Sequence, residues 1–469
     1  MRGTFEREVK LDAGEIRLEE LGGEPLDARI FLSTYHDTPD YRLARLGFTL
    51  RHRLEGEYAW WQLKLPGRGG RLELEAPAEL PSLPADILDL LAAPLHGRSL
   101  TPVATLRTER RGVRLLLDGT EAEVTLDHVE VVEGPCSGTS FVELEAELRG
   151  SGDLADVETA LREAGADDGD ERPKLLKVLG LNRLHPRPAS DDPGEHLRAM
   201  IERQYEQILR HDPGARLGDD PEELHDLRVA VRRLRAALRA GRPLLIEEWS
   251  EPLRDELAWL GRGLGPARDL DVLVERVRGE VTTLGADREP AGELVAALER
   301  EREEARTSML AELRTRRYLD LLGALESAAR SPMLRASQEP LASIAAREFR
   351  KLRKTMRDVG PDSSDEELHR ARIRGKRARY AAELAEATMG KPATRVIEQA
   401  KVFQDVIGDH QDAIVAERRI RTLASHGSAE AAVAAGRLVD RERARRRSAR
   451  AALPKAWKGL KRAGRKAYG

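Results

Sequence analysis

The stretch "FEREVKLDA" at residues 5–13 alternates charged and apolar side chains. Successive side chains of a β-strand point to opposite faces, so a strand here places Glu6, Glu8 and Lys10 on one face and Val9 and Leu11 on the other. Such a charged face either lies in water or forms part of a site. The strands that follow decide between these two interpretations.

A period of two recurs along the N-terminal part of the chain and indicates strands. It is found in "FTLRHRL" (48–54), "AWWQLKL" (59–65), "RLELEAP" (71–77), "AEVTLDHVEVV" (122–132) and "FVELEAEL" (141–148). Turns rich in Gly and Pro separate these runs, and helices are predicted near 84–93 and 152–164. The pattern predicts a mainly antiparallel β-domain with minor helices.

The C-terminal part has a helical period. The segment "HPRPASDDPGEH" (185–196) has the composition of a linker, and the segments after it are separated at "HDPG", "GRP", "LGP", "VGPDSSD" and "MGKP", which suggests about eight helices. We therefore predict an α+β protein of two domains. The N-terminal domain covers 1–184, the linker 185–195, and an all-α domain 196–469.

The helical part contains an internal repeat. "EELHDLRVAVRRLRAAL" (222–238) aligns with "EELHRARIRGKRARYAA" (366–382), and "LGPARDLDVL" (264–273) aligns with "IGDHQDAIVA" (407–416). Two pairs in the same order indicate duplication of a helical unit. We expect a bundle of two pseudo-symmetric repeats, at about 196–335 and 340–465.

The composition narrows the class of protein. Cys136 is the one cysteine of the 469 residues, so the chain can form neither an internal disulfide nor a thiolate metal site, which favours a reducing compartment. We find neither a signal sequence nor an apolar run long enough to span a membrane. We expect a cytoplasmic protein without membrane contact.

Cations form stripes along the predicted helices. His225, Arg228, Arg232, Arg235 and Arg239 are three or four residues apart, which places them on one face of a helix, and they lack acidic partners at helical spacing. A bound polyanion would relieve their mutual repulsion. Because aromatic residues for stacking bases are almost absent from the stripes, nucleic acid is not the expected partner.

This helical segment resembles the CHAD family, the conserved-histidine α-helical domains, over about residues 196–425. The "HDLRVAVRRLRAALR" and "LGPARDLDVL" runs and their counterparts in the second repeat carry the resemblance, which implies binding of inorganic polyphosphate. The predicted polyphosphate-binding residues are His225, Arg228, Arg232, Arg235, Arg239, Arg350, Lys354, Arg357, His369, Arg372, Lys376 and Arg379.

The roles of the two repeat histidines stay open. His225 and His369 either contact phosphate, support the start of a helix, or bind a metal, and their wide separation argues against the metal. Asp269, Asp271 and Asp412 are expected to hold nearby basic side chains.

The charged faces of the strands have a functional interpretation if the sheet closes into a barrel with these faces inside. Carboxylates would then bind a divalent cation, and Arg and Lys would bind phosphate oxygens. A triphosphate with a divalent cation suits such an interior.

The N-terminal part resembles the CYTH family, the triphosphate tunnel metalloenzymes, over about residues 3–183. "EREVK" matches the ExExK signature, and "LRHR", "LKLPG", "RLELE", "LRTERR", "LDHVEV" and "VELEAEL" follow in the family's order. The resemblance implies a triphosphate tunnel that binds Mg²⁺ or Mn²⁺.

The resemblance also implies roles for individual residues. The implied metal ligands are Glu6, Glu8, Glu143, Glu145 and Glu147. The implied triphosphate ligands are Lys10, Arg51, Arg53, Lys64, Arg107, Arg110 and Lys174. Catalytic roles are implied for Glu8, Lys10 and Asp127, with Asp127 near the attacking water. Pro173 stands where the family has Ser before a late lysine, so Lys174 and Lys177 remain alternatives for that lysine.

These features together predict metal-dependent hydrolysis of inorganic triphosphate, or a related triphosphate, in the N-terminal tunnel. The helical domain would bind inorganic polyphosphate, which could place the protein at polyphosphate granules. Two alternatives remain open. One is adenylate cyclase or thiamine triphosphatase activity in the same fold, and the other is a non-catalytic polyphosphate-binding or granule-targeting protein.

Overall fold

The computed structural model describes all residues except 79–81, 183–187, 189, 338 and 361. The chain divides into two units, Met1–Leu184 and His185–Gly469. Part of the predicted linker, residues 185–187 and 189, lies outside the described residues. The predicted fold class is confirmed, because a large antiparallel sheet forms the first unit and helices form the second.

The first unit is built on one antiparallel sheet, ten-stranded over the described residues. Its strands are β1 (Arg2–Glu6), β2 (Glu8–Asp12), β3 (Glu24–Asp37), β4 (Thr49–Glu55), β5 (Tyr58–Gly67), β6 (Gly70–Pro77), β7 (Thr101–Leu117), β8 (Thr120–Glu133), β9 (Ser140–Leu148) and β10 (Asp167–Asp168). Their spatial order is β1-β6-β5-β4-β3-β7-β8-β9-β2-β10. The alternation of side chains correctly predicted the long strands β4, β5, β6, β8 and β9, but it did not predict β3 and β7.

The first segment of the chain is two strands rather than one. A break at Arg7 separates β1, which pairs with β6, from β2, which pairs with β9 at the other side of the sheet. The prediction of a closed barrel is corrected accordingly, because the described ladder has two ends and β1 and β2 are joined by the chain rather than by hydrogen bonds. The sheet nevertheless curls around a cavity whose walls come from most of its strands.

The described residues of the first unit also form five short α-helices: α1 (Arg42–Leu46), α2 (Ala85–Leu90), α3 (Ala92–Leu95), α4 (Leu154–Glu163) and α5 (Lys174–Val178). The helices predicted near 84–93 and 152–164 are confirmed as α2, α3 and α4. One apolar cluster joins Val157 and Leu161 of α4 to β2, β7, β8 and β9. A second joins Leu175 and Leu176 of α5 to β3, β7 and β8, and thereby fixes the position of Lys174.

The second unit is helical. Its helices are α6 (Pro193–Leu217), α7 (Pro221–Ala240), α8 (Glu247–Val281), α9 (Arg288–Leu313), α10 (Arg316–Arg330), α11 (Leu341–Thr355), α12 (Asp365–Leu384), α13 (Glu386–Met389), α14 (Lys391–Ala424) and α15 (Ala429–Tyr468). The predicted linker is too long at its C-terminal end. Its last three residues, 193–195, form the first turn of α6, because Asp192 caps the helix and Pro193 suits its first position.

The helix breaks predicted at "HDPG" and "LGP" are wrong. Helix α6 continues through Pro213 of the first motif, and α8 continues through Pro266 of the second and also through Pro252. Proline removes one helical hydrogen bond, but burial of the surrounding side chains can outweigh this loss. At Pro213 the neighbouring Asp212 is fully buried and accepts hydrogen bonds from Arg216 and Tyr318.

The corresponding helices of the two repeats, α7 and α12, contact each other. Helix α8 packs beside α7, and α14 packs beside α12, so each repeat contributes a pair of neighbouring helices. One apolar cluster joins α12 to α14, and another joins α8 to α14. Side chains from all four helices line a central cavity.

We predict that Gly70→Ala weakens the pairing of β1 with β6. A Cβ atom at Gly70 would lie 2.2 Å from the backbone oxygen of Glu6 and 2.8 Å from the Phe5 ring, and backbone cannot yield as a flexible side chain does. We expect the free energy of unfolding to fall by about 1–3 kcal/mol, measured by chemical denaturation. Gly292→Ala is the control, since nothing lies within 4 Å of a Cβ there. Equal stability of Gly70→Ala and the parent protein would contradict the prediction.

Candidate active site and central basic cavity

A charged cavity of about 250 Å³ lies inside the curled sheet. Strands β1 to β7 and β9 and the start of α5 supply its walls. Its charged side chains are the acids Glu6, Glu8, Glu73, Glu75, Glu145 and Glu147 and the bases Lys10, Arg29, Arg51, Arg53, Lys64, Arg71, Arg110, Arg149 and Lys174. Both signs of charge therefore converge on one small space, as the charged strand faces predicted.

The acidic wall spans the break at Arg7. Glu6, at the end of β1, forms an ion pair with Lys64 of β5. Glu8, at the start of β2, lies opposite Glu147 of β9 in the strand register. Like charges at directly opposed positions destabilise a sheet unless a cation compensates them. Arg149 partly does so, with an ion pair of 2.9 Å to Glu147.

Glu6 and Glu73 form a coupled pair of buried carboxyl groups. Burial and the hydrogen bond with Glu73 raise the pKa of Glu6. Burial also acts to raise the pKa of Glu73, but the neighbouring Lys64, the hydrogen bond with Glu6, and Arg51 outweigh it and lower that pKa. The pair therefore favours retention of one proton between two carboxyl groups.

A buried network of charges lies at the α5 end of the cavity. Lys10 and Lys174 both contact Glu143 and Glu145. Burial acts against the charge of Lys174, but the surrounding carboxylates Glu145, Asp127 and Glu143 outweigh it and raise its pKa. The network stays ionised because each buried charge has partners of opposite sign.

Two predicted acids lie behind the cavity wall rather than on it. Asp127 is fully buried, and its two oxygens accept hydrogen bonds of 2.7 Å each from Arg110. Glu143, which is 1% exposed, is held by Lys10, Lys174 and Lys177. The predicted direct roles, a site beside the attacking water for Asp127 and metal binding for Glu143, are corrected, since these carboxylates position cations that line the cavity.

Arg51 and Arg53 are held on adjacent inward positions of β4. Arg51 donates a 2.6 Å hydrogen bond to Gln62, whose amide in turn donates to Glu75. The Arg53 guanidinium lies 3.5 Å from the centroid of the Phe31 ring. Burial and the neighbouring Arg51 lower the pKa of Arg53 to about 10.

Several buried polar atoms around the cavity lack a hydrogen-bond partner in the described structure. They are Arg53 Nε, Trp60 Nε1, Arg71 Nε and Glu73 Oε1. An unpartnered buried polar group is costly, by about 1–3 kcal/mol. Such a concentration at one cavity is typical of a site that a polar ligand completes.

The structure separates the other predicted tunnel residues. Arg107 is three positions from Arg110 on β7 and therefore points to the opposite face, where it pairs with Glu109 at 2.7 Å. Its predicted role as a phosphate ligand is corrected on this ground. Lys174 lines the cavity, whereas Lys177 contacts Glu143 and lies 5.9 Å from the Phe141 ring centroid. This geometry favours Lys174 as the late lysine.

Sequence reasoning missed several cavity residues. Arg71, Glu73 and Glu75 carry a clear signal, because they alternate in "RLELEAP". Arg29 carries none, because its strand, β3, does not show a period of two. Arg149 follows the last residue of β9 and reaches the cavity from there.

The donor set suits a hard divalent cation. Carboxylate oxygens are the ligands that Mg²⁺ and Mn²⁺ prefer, and Glu6, Glu8, Glu145 and Glu147 supply them from three strands, together with the unpartnered oxygen of Glu73. Among the described residues, no three such side chains are close enough together to hold an ion as they stand. Lysines contact Glu6 and Glu145, so these ammonium groups would have to move before the two carboxylates bind a metal.

A second cavity, of about 850 Å³, lies between α7, α8, α12 and α14. Its cationic side chains far outnumber the acids Asp269 and Asp412 that also line it. Those that can carry positive charge are His225, Arg228, Arg232, Arg235, Arg239, Arg254, Arg262, Arg268, Arg276, Arg372, Lys376 and Arg377. We call this space the central basic cavity.

Part of the predicted polyphosphate-binding set lies elsewhere. The members absent from the lining are Arg350, Lys354, Arg357, His369 and Arg379. Arg379 instead pairs with Glu383 at 3.0 Å, and helix α11, which carries the first two, packs against α12 without lining the cavity. The prediction that these five residues share one binding surface with the residues of the central basic cavity is therefore corrected.

Helix α8 supplies cations that the sequence analysis missed. They are Arg254, Arg262, Arg268 and Arg276, which lie at helical spacing along one face. The predicted role of Asp269 as a partner of basic side chains agrees with its 2.5 Å ion pair to Arg228. The two repeat histidines differ, because His225 lines the cavity and His369 is exposed.

The comparisons with known proteins agree with this architecture. The CYTH domain family matches residues 4–173, and the CHAD domain family matches residues 199–421. Uncharacterised proteins from two strains of Mycobacterium tuberculosis are 31% identical over 492 residues, which covers 97% of this chain and 93% of each relative. The chain belongs to the proteins that join a CYTH domain to a CHAD domain. The domain order inferred from the motifs is thereby confirmed.

Other relatives cover single domains of this CYTH–CHAD protein. Human thiamine-triphosphatase is 32% identical over 206 residues, covering 40% of this chain and 83% of that enzyme. The crystal structure of the CHAD domain from the plant Ricinus communis is 28% identical, with a TM-score of 0.48, and covers 59% of this chain and 96% of that one. The first domain thus belongs to a family of triphosphate-tunnel hydrolases and cyclases, which generally depend on a divalent metal.

The described part of the CYTH–CHAD protein contains no helix with both the length and the hydropathy of a membrane span.

We predict that Lys376→Met stabilises the CYTH–CHAD protein in a pH-dependent way. Burial, followed by the charges of Arg372, Arg232 and Arg228, lowers the pKa of Lys376 to about 7, although Asp412 acts in the opposite direction. The unfolded chain then binds more protons than the folded one between about pH 7 and pH 10.5. The loss of folding stability caused by the buried Lys376 charge is therefore largest at low pH and disappears as pH rises through that window.

The thermal midpoint of Lys376→Met should therefore exceed that of the parent by a few degrees at pH 7, and by less at pH 10. Differential scanning calorimetry in a phosphate-free buffer measures both values. The control is Lys351→Met, which removes an exposed lysine paired with Glu348. An equal shift at both pH values would show that the added hydrophobic contact, not the charge, is responsible.

Proposed function

We propose that the CYTH domain hydrolyses inorganic triphosphate or a closely related triphosphate with Mg²⁺ or Mn²⁺, and that the CHAD domain binds inorganic polyphosphate. The observation that carries the first part is the cavity in which carboxylate, guanidinium and ammonium groups from eight strands meet around unpartnered polar atoms. A phosphate chain needs the cations, and a divalent metal needs the carboxylates.

The cations would bind and orient the phosphate chain. Arg51 and Arg53 are fixed by Gln62 and Phe31, and Arg110 is fixed by Asp127, so their guanidinium groups are pre-organised for phosphate oxygens. Lys10 and Lys174 extend the positive charge toward α5. Preorganised charge of this kind stabilises the transition state without reorganisation during the reaction.

Hydrolysis forms one bond and breaks one bond. The oxygen of a water molecule attacks the terminal phosphorus, and the bridging P–O bond breaks opposite to it, so that pyrophosphate leaves with the electron pair. Glu6, Glu8, Glu145 and Glu147 would hold the divalent metal, whose charge neutralises the phosphate oxygens when it is bound. The proton released from water passes to solvent or to a free cavity carboxylate.

One observation favours a second candidate, hydrolysis of an organic triphosphate. Trp60 lines the cavity, lies 5.5 Å from the Arg53 guanidinium, and has an unpartnered buried indole N–H. An aromatic side chain at the cavity can stack on a ring. Human thiamine-triphosphatase, one of the relatives, acts on a substrate of that class by its name.

The proposed polyphosphate binding rests on the central basic cavity. Its cations come from both repeats, since Arg228 and Arg232 lie on α7 and Arg372 lies on α12. Arg232 also donates a 2.8 Å hydrogen bond across to Tyr380 of α12. A bare phosphate chain would neutralise their mutual repulsion. A cytoplasmic location at polyphosphate granules is part of this proposal. The proposal also assigns hydrolysis to residues 1–184 and polyphosphate binding to residues 196–469.

We predict that Glu8→Gln lowers triphosphate hydrolysis by about 100-fold or more, because it removes a charged oxygen ligand from the acidic wall. Phosphate release from triphosphate, ATP, thiamine triphosphate and long polyphosphate is measured with Mg²⁺ and with Mn²⁺, together with formation of cyclic AMP. Polyphosphate binding should stay within about twofold of the parent.

Glu130→Gln is the matched control, since Glu130 is an exposed strand acid that does not line the cavity. Absence of turnover of every substrate by the parent protein would refute the enzyme and leave the binding-only alternative. Formation of cyclic AMP from ATP would assign the cyclase activity instead.

We predict that replacing Arg228, Arg232 and Arg372 by Gln weakens polyphosphate binding by about tenfold or more, with a weaker salt dependence. Triphosphate hydrolysis should be unchanged. The matched control replaces Arg350, Lys354 and Arg379 by Gln, which removes the same charge from residues outside the central basic cavity. Equal weakening by both triple variants would mean that overall charge, not the cavity, binds the polyanion.

A further inference from the structure

A second basic cleft lies between the end of α11 and the C-terminal helix α15. It has a volume of about 500 Å³, and its lining residues are Arg353, Met356, Arg357, Trp457, Lys461 and Arg465. None of these residues lines the central basic cavity. The CHAD domain family matches residues 199–421, so the α15 side of the cleft lies beyond the match. We call it the α11–α15 cleft.

The cations of this cleft have no acidic partners. Among the described residues, Arg353, Arg357, Lys461 and Arg465 take part in no ion pair. Other exposed cations of the same unit are paired, for example Lys351 with Glu348 on the same helix α11. Residues 452–469 contain six lysines and arginines, at 455, 458, 461, 462, 465 and 466, and no acid. The positive potential of the cleft is therefore uncompensated.

Helix dipoles do not explain all of these cations. Cations in the last turn of a helix stabilise it, and Arg353 and Arg465 occupy such positions. Lys461, however, precedes the last turn of α15, and Arg357 follows the end of α11. Helix stability therefore accounts for two of the four cations and leaves Lys461 and Arg357 without that explanation.

The walls of the cleft are fixed by packing. Leu460 of α15 is fully buried in the same apolar cluster as Phe349 of α11. Gly464 allows the two helices to approach closely, because a Cβ atom there would lie 2.0 Å from the Phe349 ring. The cleft is consequently a formed concave site rather than a set of independent surface lysines.

We propose that the α11–α15 cleft is a second binding site for a linear phosphate chain of the inorganic polyphosphate type. The position of Trp457 favours a bare phosphate chain over nucleic acid. Its indole packs against Phe349 and Phe403, with ring centroids 6.5 and 6.0 Å apart, so the ring serves the core and is not a free platform for stacking bases. The site goes beyond the proposed function, since it requires neither the tunnel nor the central basic cavity.

The test uses the full chain with the central basic cavity disabled by Arg228→Gln, Arg232→Gln and Arg372→Gln. Binding of a short polyphosphate of defined length is measured by calorimetry in a chelating buffer, which prevents hydrolysis. In this background, adding Arg353→Gln, Lys461→Gln and Arg465→Gln should lower the remaining affinity by about tenfold. The matched control adds Lys458→Gln, Arg462→Gln and Lys466→Gln, which removes the same charge from α15 residues outside the cleft and should change affinity by less than about twofold.

The thermal midpoints of the two variants should lie close to each other, because the replaced side chains lie at the surface or line the open cleft and each variant removes at least one cation from the last turn of a helix. Equal loss of affinity in both variants would overturn the site, as would absence of binding in the background protein. Single-stranded DNA is the second probe. If the cleft variant loses more affinity for DNA than for polyphosphate, the ligand class is wrong.

Discussion

The break at Arg7 is the constraint on which the first domain depends. Hydrogen bonds tie β1 to β6 and β2 to β9, which are the two sides of the curled sheet, and the peptide chain through Arg7 holds those sides together. Glu6 and Glu8 flank the break, so the acidic wall is located at the point of closure. A shift of one residue in either register would turn one of these carboxylates away from the cavity.

Charge pairing divides the cavity into two kinds of region. Near α5, the network around Glu143, Glu145 and Asp127 satisfies its own buried charges, and it positions Lys10, Lys174 and Arg110. Elsewhere Arg53, Arg71 and Glu73 keep unpartnered polar atoms. Buried charge is expensive without partners, so the first region gives the domain its structure and the second leaves binding capacity for a ligand.

The helical domain shows that a sequence repeat need not preserve its surface. The aligned residues Arg235 and Arg379 differ in position, because the first lines the central basic cavity and the second pairs with Glu383. Similarly, His225 lines the cavity and His369 is exposed. The helix pair α7 and α12 brings cations of both repeats together, and burial together with the neighbouring Arg372, Arg232 and Arg228 lowers the pKa of Lys376 there.

Local pattern determined much of this protein from the sequence alone. Alternation in β4, β5, β6, β8 and β9, the helical period and the internal repeat were sufficient for the fold class and the domain order, because each depends on residues that are near in the chain. The same patterns placed Glu6, Glu8, Arg51, Arg53 and Lys64 on the charged faces of their strands, and the resemblance to the CYTH family implied that these faces meet. Tertiary structure decided the rest. The split at Arg7, the inward face of β7 that excludes Arg107, the burial of Asp127 behind Arg110, and the separation of α11 from the central basic cavity all depend on contacts between distant segments, which periodicity does not encode.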